Sequence, residues 1–305
     1  MAVDLTAPPR LVAEGPVMGS TAAIAAPDSI ARQAFVRLRE LEARWSRFLP
    51  TSDISMLNQA GGRPVHISSD SITLLESAAR AWLVTDGAFD PTMLGTLASL
   101  GYDRSRDEPR RQSEIPADAT SRSDPTKILV DRETSRAALP PGTVIDPGGI
   151  GKGLAADLIA EEFCDEARSI LVEIGGDLRV AGEPPAGGWQ VDVWNPDRIE
   201  PIHRIAIESG GVASSSTLLR RWTRAEGDSA HHIIDPRTLI PSATGVVACT
   251  VIAGTAAWAE AFTKVPFSRP IRTALDQYEH HGLAALIISD DGAQHTTSSW
   301  KDFLR

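Results

Sequence analysis

Apolar and polar positions repeat with two different periods along the 305-residue chain. From residue 29 to 47 the positions Ile30, Ala34, Phe35, Leu38, Leu41 and Trp45 keep a helical spacing, which predicts an amphipathic helix. Asp28 and Ser29 stand where its cap belongs, and Phe48-Leu49-Pro50 ends it. A short helix follows over 52–58 with Ser52 as cap and Gly61-Gly62 behind it, then a longer amphipathic one over 68–85. Ahead of them, residues 11–26 alternate loosely around Gly15, Pro16 and Gly19, as an opening strand carrying a Met18-Gly19-Ser20 turn would. From residue 128 onward the period shortens. Strands are predicted over 128–130, 137–139, 169–174, 178–181, 189–193, 202–207, 246–253 and 284–289. Helices are predicted over 255–264 and 274–281, and residues 300–304 close the chain. Residues 210–216, GGVASSS, read as a small-residue turn into a helix, either letting a ligand approach or forming a tight packing corner.

Between the two regimes lies the densest chemistry, DPGGIGKGLAAD at 146–157, with a helical run to about residue 167. Glycines allow close backbone approach to a ligand, and a helix beginning beyond them presents free N–H groups and a positive dipole end. Lys152 adds a mobile charge. Two readings stand: a phosphate site, or a glycine-rich turn with a solvated lysine. The stretch is not a P-loop, because Gly153 follows Lys152 where Ser or Thr is required. It is not the dinucleotide fingerprint either, since GIGKGL places the third glycine one position early.

Other polar stretches carry less by themselves. DGAFDPT at 86–92 is an ordered turn whose two aspartates either face a pocket or hold the turn. His232 precedes an apolar pair and an Asp-Pro turn, as a general base, a phosphate partner or a structural histidine. Glu260 and Lys264 are four apart on one helix, an order worth about 0.2–0.5 kcal/mol if they pair while exposed. Residues 105–126, rich in Arg, Ser, Asp and Pro, are expected to form a mobile loop within one domain spanning 1–305.

The net charge of −10 argues against generic nucleic-acid binding but leaves room for a local basic pocket. Two distant cysteines, Cys164 and Cys249, make neither a metal motif nor a disulfide framework and read as buried small hydrophobes. No apolar run is long enough to span a membrane. The start of the chain lacks a basic-then-apolar leader, so a cytoplasmic location is expected.

Taken in order, these blocks resemble the ApbE-type FAD:protein FMN transferases across residues 18–264. The resemblance rests on Met18-Gly19-Ser20, DGAFDPT, IDPGGIGKG (145–153), EIGGDLR (173–179), GVASSS and HIIDPRT (232–238). It implies an α+β fold of antiparallel sheets flanked by helices, with a central flavin cleft. It implies FAD as substrate and Mg²⁺ as cofactor. The FMN half of FAD moves to a Thr or Ser hydroxyl of a target flavoprotein, in a segment resembling D-x-x-[ST]-G-A-[ST], and AMP is released. By match to the family, Asp146 and Lys152 contact FAD, the Gly149 carbonyl faces the metal, and Ala88, Phe89 and Asp90 line the flavin site with Met18. Phe48 falls where the family often has a flavin-stacking Tyr. His232 falls on a characteristic histidine, with the task of orienting or deprotonating the acceptor hydroxyl.

Three departures stand out. Glu260 and Lys264 replace an Asp and a Thr that ligate Mg²⁺, Leu239 stands for the Gly after the DPxT turn, and Ser215 lies near another Gly position. A protonated lysine cannot ligate Mg²⁺. Lys264 then neutralises the pyrophosphate itself, or Glu260 binds Mg²⁺ with more waters, or flavin is bound without transfer, or the two side chains only pair. The resulting alternatives to a transferase are an FAD-binding or delivery protein and an FAD pyrophosphatase yielding FMN and AMP.

Overall fold

The computed structural model describes residues 11–105, 108–120, 122–195, 197, 200–223, 227 and 229–305. Its frame is an eight-stranded antiparallel sheet whose spatial order follows chain order. The strands are β1 (Leu11–Val17), β2 (Ser20–Ala25), β3 (Ser169–Ile174), β4 (Asp177–Gly182), β5 (Gly210–Ser216), β6 (Val246–Ala253), β7 (Ala284–Ser289) and β8 (Gln294–Thr296). The helices are α1 (Asp28–Trp45), α2 (Asp53–Gln59), α3 (Ser69–Val84), α4 (Leu94–Ser99), α5 (Gly151–Ala167), α6 (Ala256–Phe262) and α7 (Ile271–His280). Helices α1 to α5 are thus all inserted between β2 and β3.

The period of two sorts side chains to opposite faces of the sheet. In β3, Ile170, Val172 and Ile174 join the core under α1 and α5, while Leu171 turns the other way. In β7, Ala285 and Ile287 pack with α6 and α7, while Ala284, Leu286 and Ile288 meet a hairpin of Trp189–Val193 and His203–Ile207. One face therefore carries helices, the other the hairpin and Trp300.

The opening segment is a hairpin rather than one strand. Met18 (φ 51°) and Gly19 (φ 67°) make its two-residue turn, and both left-handed angles match the primed turns that suit strand twist. Pro16 is tolerated because β1 is an edge strand. Helix α1 begins after Pro27 without a side-chain cap, whereas Ser52 and Thr255 cap α2 and α6 through Ser55 N–H (3.0 Å) and Trp258 N–H (3.3 Å). Helix α7 starts at Ile271, three residues before the expected start, because Pro270 sets its first turn.

GGVASSS is the largest difference from expectation: it forms β5 in the middle of the sheet, not a turn into a helix. Its small residues serve packing. A Cβ on Gly211 would lie 2.3 Å from the backbone N of Ala256, so glycine is what lets α6 press onto the sheet. Cys249 is buried, but Cys164 on α5 is only half-buried. In the 105–126 segment, residues 106, 107 and 121 lie outside the described residues. The rest is hydrogen-bonded to the body, through Arg47 to Ser113 Oγ (2.7 Å) and Thr120 N–H to the Gly142 carbonyl (2.8 Å).

Candidate functional site

The cleft lies at the start of α5. A Cβ at Gly153 would sit 2.4 Å from the Ala256 carbonyl oxygen, so this glycine brings α5 and α6 together. Pro91 O accepts from Asp146 N–H (2.8 Å), which joins the DGAFDPT turn to the glycine-rich turn. At Gly149 a Cβ would come within 2.8 Å of the Phe89 ring and 3.4 Å of Lys264 Cε. The backbone is therefore pressed between an aromatic wall and a lysine stem.

The resulting cleft has a volume of about 670 Å³, within the range of pockets that hold cofactors. Met18, Phe48, Ala88, Phe89, Asp90, Asp146, Gly149, Lys152, His232 and Lys264 all line it, although they are drawn from most of the chain. Glu260 does not reach it. Its side chain is buried behind Lys152, accepting from Lys152 Nζ at Oε1 (3.1 Å) and from Gly153 N–H at Oε2 (2.8 Å). Lys152 also donates to Asp177, which is 1% exposed and accepts from Ser214 N–H (3.2 Å).

Lys264 does not form the spaced pair with the Glu260 carboxylate. Its ammonium donates to Ser215 Oγ (2.8 Å), Thr263 Oγ1 (2.8 Å) and the Glu260 backbone carbonyl (3.0 Å). The reason is burial: Glu260's carboxylate is already committed to Lys152 and Gly153, and an unsatisfied buried ammonium is expensive.

Charge sets the protonation states. Burial would lower Lys152, but the Asp177 and Glu260 carboxylates outweigh it and hold the amine above an ordinary lysine. Burial pushes Glu260 up, opposed first by Lys152. Burial pulls Lys264 down, opposed by Glu260 and Asp177. His232 is driven well below an ordinary histidine, first by burial and then by Arg220 and Lys264, so its imidazole is neutral at pH 7. Its Nδ1 is buried without a hydrogen-bond partner among the described residues. Asp90 is raised by burial, and it caps its own turn through Thr92 N–H (2.8 Å) and Oγ1 (2.7 Å).

Several residues of the site carried no role in the sequence reading. Asp177 stands in the EIGGDLR block, yet only the fold reveals it as the counter-ion of Lys152. Arg47 is almost fully buried, lies 3.5 Å from Asp146 and stacks its guanidinium 4.2 Å from the Phe48 ring centre. Its place beside Phe48 was the available signal. Arg220 lines the cleft with no distinguishing pattern around it. Leu239 takes φ 62°, so the loop behind His232 keeps a left-handed turn without the glycine that favours it.

The donor set does not fit Mg²⁺. That ion takes near-octahedral oxygen ligands at about 2.0–2.1 Å. Here the oxygens of Ser215, Thr263 and the Glu260 carbonyl surround an ammonium, and both Glu260 carboxylate oxygens are engaged. Among the described residues no group of three His, Cys, Asp or Glu side chains is placed to hold a metal.

Fold and cleft define an α+β protein with a large cleft lined by both aromatic and cationic side chains. The profile of the ApbE family matches residues 18–287, and the chain belongs to that family. It is 30% identical over 276 residues to an FAD:protein FMN transferase of Haemophilus influenzae, covering 86% of this chain and 79% of that protein. It is 25% identical to the FAD:protein FMN transferase of Vibrio cholerae, covering 95% of this chain and 91% of that one. The crystal structure of the ApbE protein of Thermotoga maritima superposes with a TM-score of 0.84 at 25% identity, over 96% of this chain and 98% of that one. The fold is that of the ApbE flavin transferases.

Proposed function

We propose that this protein transfers the FMN half of FAD to a Thr or Ser hydroxyl of a target flavoprotein and releases AMP. The observation that carries the reading is the polarity of the cleft. Phe48, Phe89 and Met18 stand in its lining, and Lys152, Lys264 and Arg220, also in the lining, surround a neutral imidazole at His232 whose Nδ1 has no hydrogen-bond partner among the described residues. The aromatic side chains suit an isoalloxazine, and the cationic ones suit a pyrophosphate.

Phosphoryl transfer depends mainly on positioning and charge neutralisation. The acceptor hydroxyl oxygen attacks the phosphorus on the FMN side. A new O–P bond forms, the bond from that phosphorus to the bridging oxygen breaks, and AMP leaves with the bridging oxygen. His232 takes the hydroxyl proton, a task for which an imidazole that stays neutral at pH 7 is prepared. Lys152, Lys264 and Arg220 supply positive charge at the phosphate end, where Lys152 is held by the carboxylates of Asp177 and Glu260. The acceptor segment is of the form D-x-x-[ST]-G-A-[ST], and the chain, 1–305, acts as one domain. Among the described residues no helix is long and apolar enough to cross a membrane.

Incubation with FAD and a domain carrying that segment tests the proposal. The target is expected to gain the mass of one FMN while AMP appears in equal amount. Free FMN with AMP would mean water is the acceptor, and unchanged bound FAD would mean a delivery protein. His232→Ala is expected to lower the transfer rate by at least about a hundredfold, with FAD affinity nearly kept. Full activity in that variant removes the histidine from the chemistry.

A further inference from the structure

The geometry points to Lys264 as a built-in cation that takes the place of a divalent metal at the phosphate end of the cleft. This rests on the reading of the cleft as an FAD site and adds to it the identity of the cation.

The protonation of Lys264 follows from hydrogen-bond bookkeeping alone. Thr263 Oγ1 donates its one proton to the Glu260 carbonyl (2.6 Å). The Ser215 hydroxyl, 2.7 Å from Thr263 Oγ1, must therefore donate into that oxygen. With both hydroxyl protons committed, the two hydroxyl oxygens act only as acceptors toward Lys264 Nζ. The Glu260 carbonyl is an acceptor by nature. A nitrogen with three acceptors at 2.8–3.0 Å carries three protons. Lys264 is an ammonium held in a ring of oxygens.

The position of this ammonium serves the cleft. Its stem lies against Gly149, the residue expected to face the metal, and its side chain lines the cavity with Lys152, Arg220 and His232. Ser215 on β5 and Lys264, which follows α6, touch each other across 49 positions of sequence. The second serine of the SSS run thus provides an oxygen for the lysine just beyond α6. A divalent ion in the same ring would have to displace the ammonium and would meet its repulsion. Glu260, the one carboxylate nearby on α6, is occupied by Lys152 and Gly153 N–H and cannot turn to a metal without leaving Lys152 half-paired.

FAD binding by the intact protein is measured by quenching of flavin fluorescence, in EDTA and in Mg²⁺. The two affinities are expected to agree within about twofold, and FMN transfer to the target domain to proceed equally in both. Lys264→Met keeps the stem and removes the charge. It is expected to weaken FAD binding about tenfold or more while riboflavin, which has no phosphate, binds within about twofold of wild type. A merely structural lysine would move both ligands together, and that result overturns the inference. So does transfer or FAD binding that requires Mg²⁺, or one equivalent of Mn²⁺ bound by the wild-type FAD complex in its electron paramagnetic resonance spectrum. The wild-type measurements decide the matter even if the variant does not fold. FAD bound equally in both buffers without transfer sinks the transferase reading and leaves the cation role standing. Absence of FAD binding in both buffers overturns the two together.

Discussion

An alanine in place of a helical glycine ordinarily stabilises by about 1 kcal/mol. At Gly153 the sign is expected to reverse, because the added methyl would sit 2.4 Å from the Ala256 carbonyl oxygen and 2.7 Å from the next backbone nitrogen. Neither atom belongs to a movable side chain. Gly153→Ala should cost about 1–3 kcal/mol through overpacking, read as a lower urea midpoint at unchanged slope. A midpoint at or above wild type would remove the close approach of α5 and α6 as its cause. The titrating residues predict a pH profile with both limbs displaced toward acid. His232 lies well below an ordinary histidine, so the transfer rate should stay level as pH falls through 6.5 and drop only below it. Lys264 is lowered from 10.5, so the alkaline limb should begin below that value. A midpoint at 6.5 would mean that His232 is not the group observed.

At the scale of elements, α6 is held by its N-terminus. The Asp157 carboxylate on α5 accepts from Ala256 N–H (2.8 Å) and Ala257 N–H (2.9 Å), and Thr255 caps the same turn. Asp157→Ala leaves two buried donors without partners and should cost about 1–3 kcal/mol. Because α6 also carries Glu260 and leads into Lys264, FAD affinity should fall with it. Burial raises Asp157 to about 6 against backbone donation from Ala257 and Ala256. A carboxyl raised above its unfolded value of 3.8 contributes stability fully present below that value and lost as pH rises through about 6. The penalty of Asp157→Ala in urea melts should therefore be larger at pH 4.5 than at pH 7. An equal penalty at both would place the carboxyl in its ordinary range. The β5 strand belongs to the same argument: small residues with no strand propensity of their own were chosen by the helix lying on them.

For the molecule as a whole, ligand binding should appear as stability. A ligand at about a hundred times its dissociation constant adds about 2.7 kcal/mol. Saturating FAD is expected to raise the melting temperature by several degrees, riboflavin by less, and the FAD shift should survive EDTA. The binding cleft gathers residues from Met18 to Lys264, so proteolysis anywhere in that span should also slow when FAD is bound. Equal shifts with FAD and riboflavin would show that the cationic end contributes nothing to affinity.

The sequence alone determined the periodic elements and the order of the motif blocks, because local spacing dictates which face of a helix or strand is apolar; the cleft residues were legible only through the resemblance of those blocks to a family. Strands such as Ser169–Ile174, Val246–Ala253 and Ala284–Ser289 were legible to the residue. Tertiary structure decided the partners. Lys152 finds Asp177 and Glu260 at separations of 25 and 108 residues, and Lys264 turns from the carboxylate four positions away to Ser215, 49 positions away. Spacing along a helix ranks partners by proximity in an exposed segment. Once the helix is buried, each charge must be satisfied by whatever the neighbouring strands present, and that is set by packing. GGVASSS became a central strand for the same reason: a turn composition gave way to the need for a thin surface beneath α6.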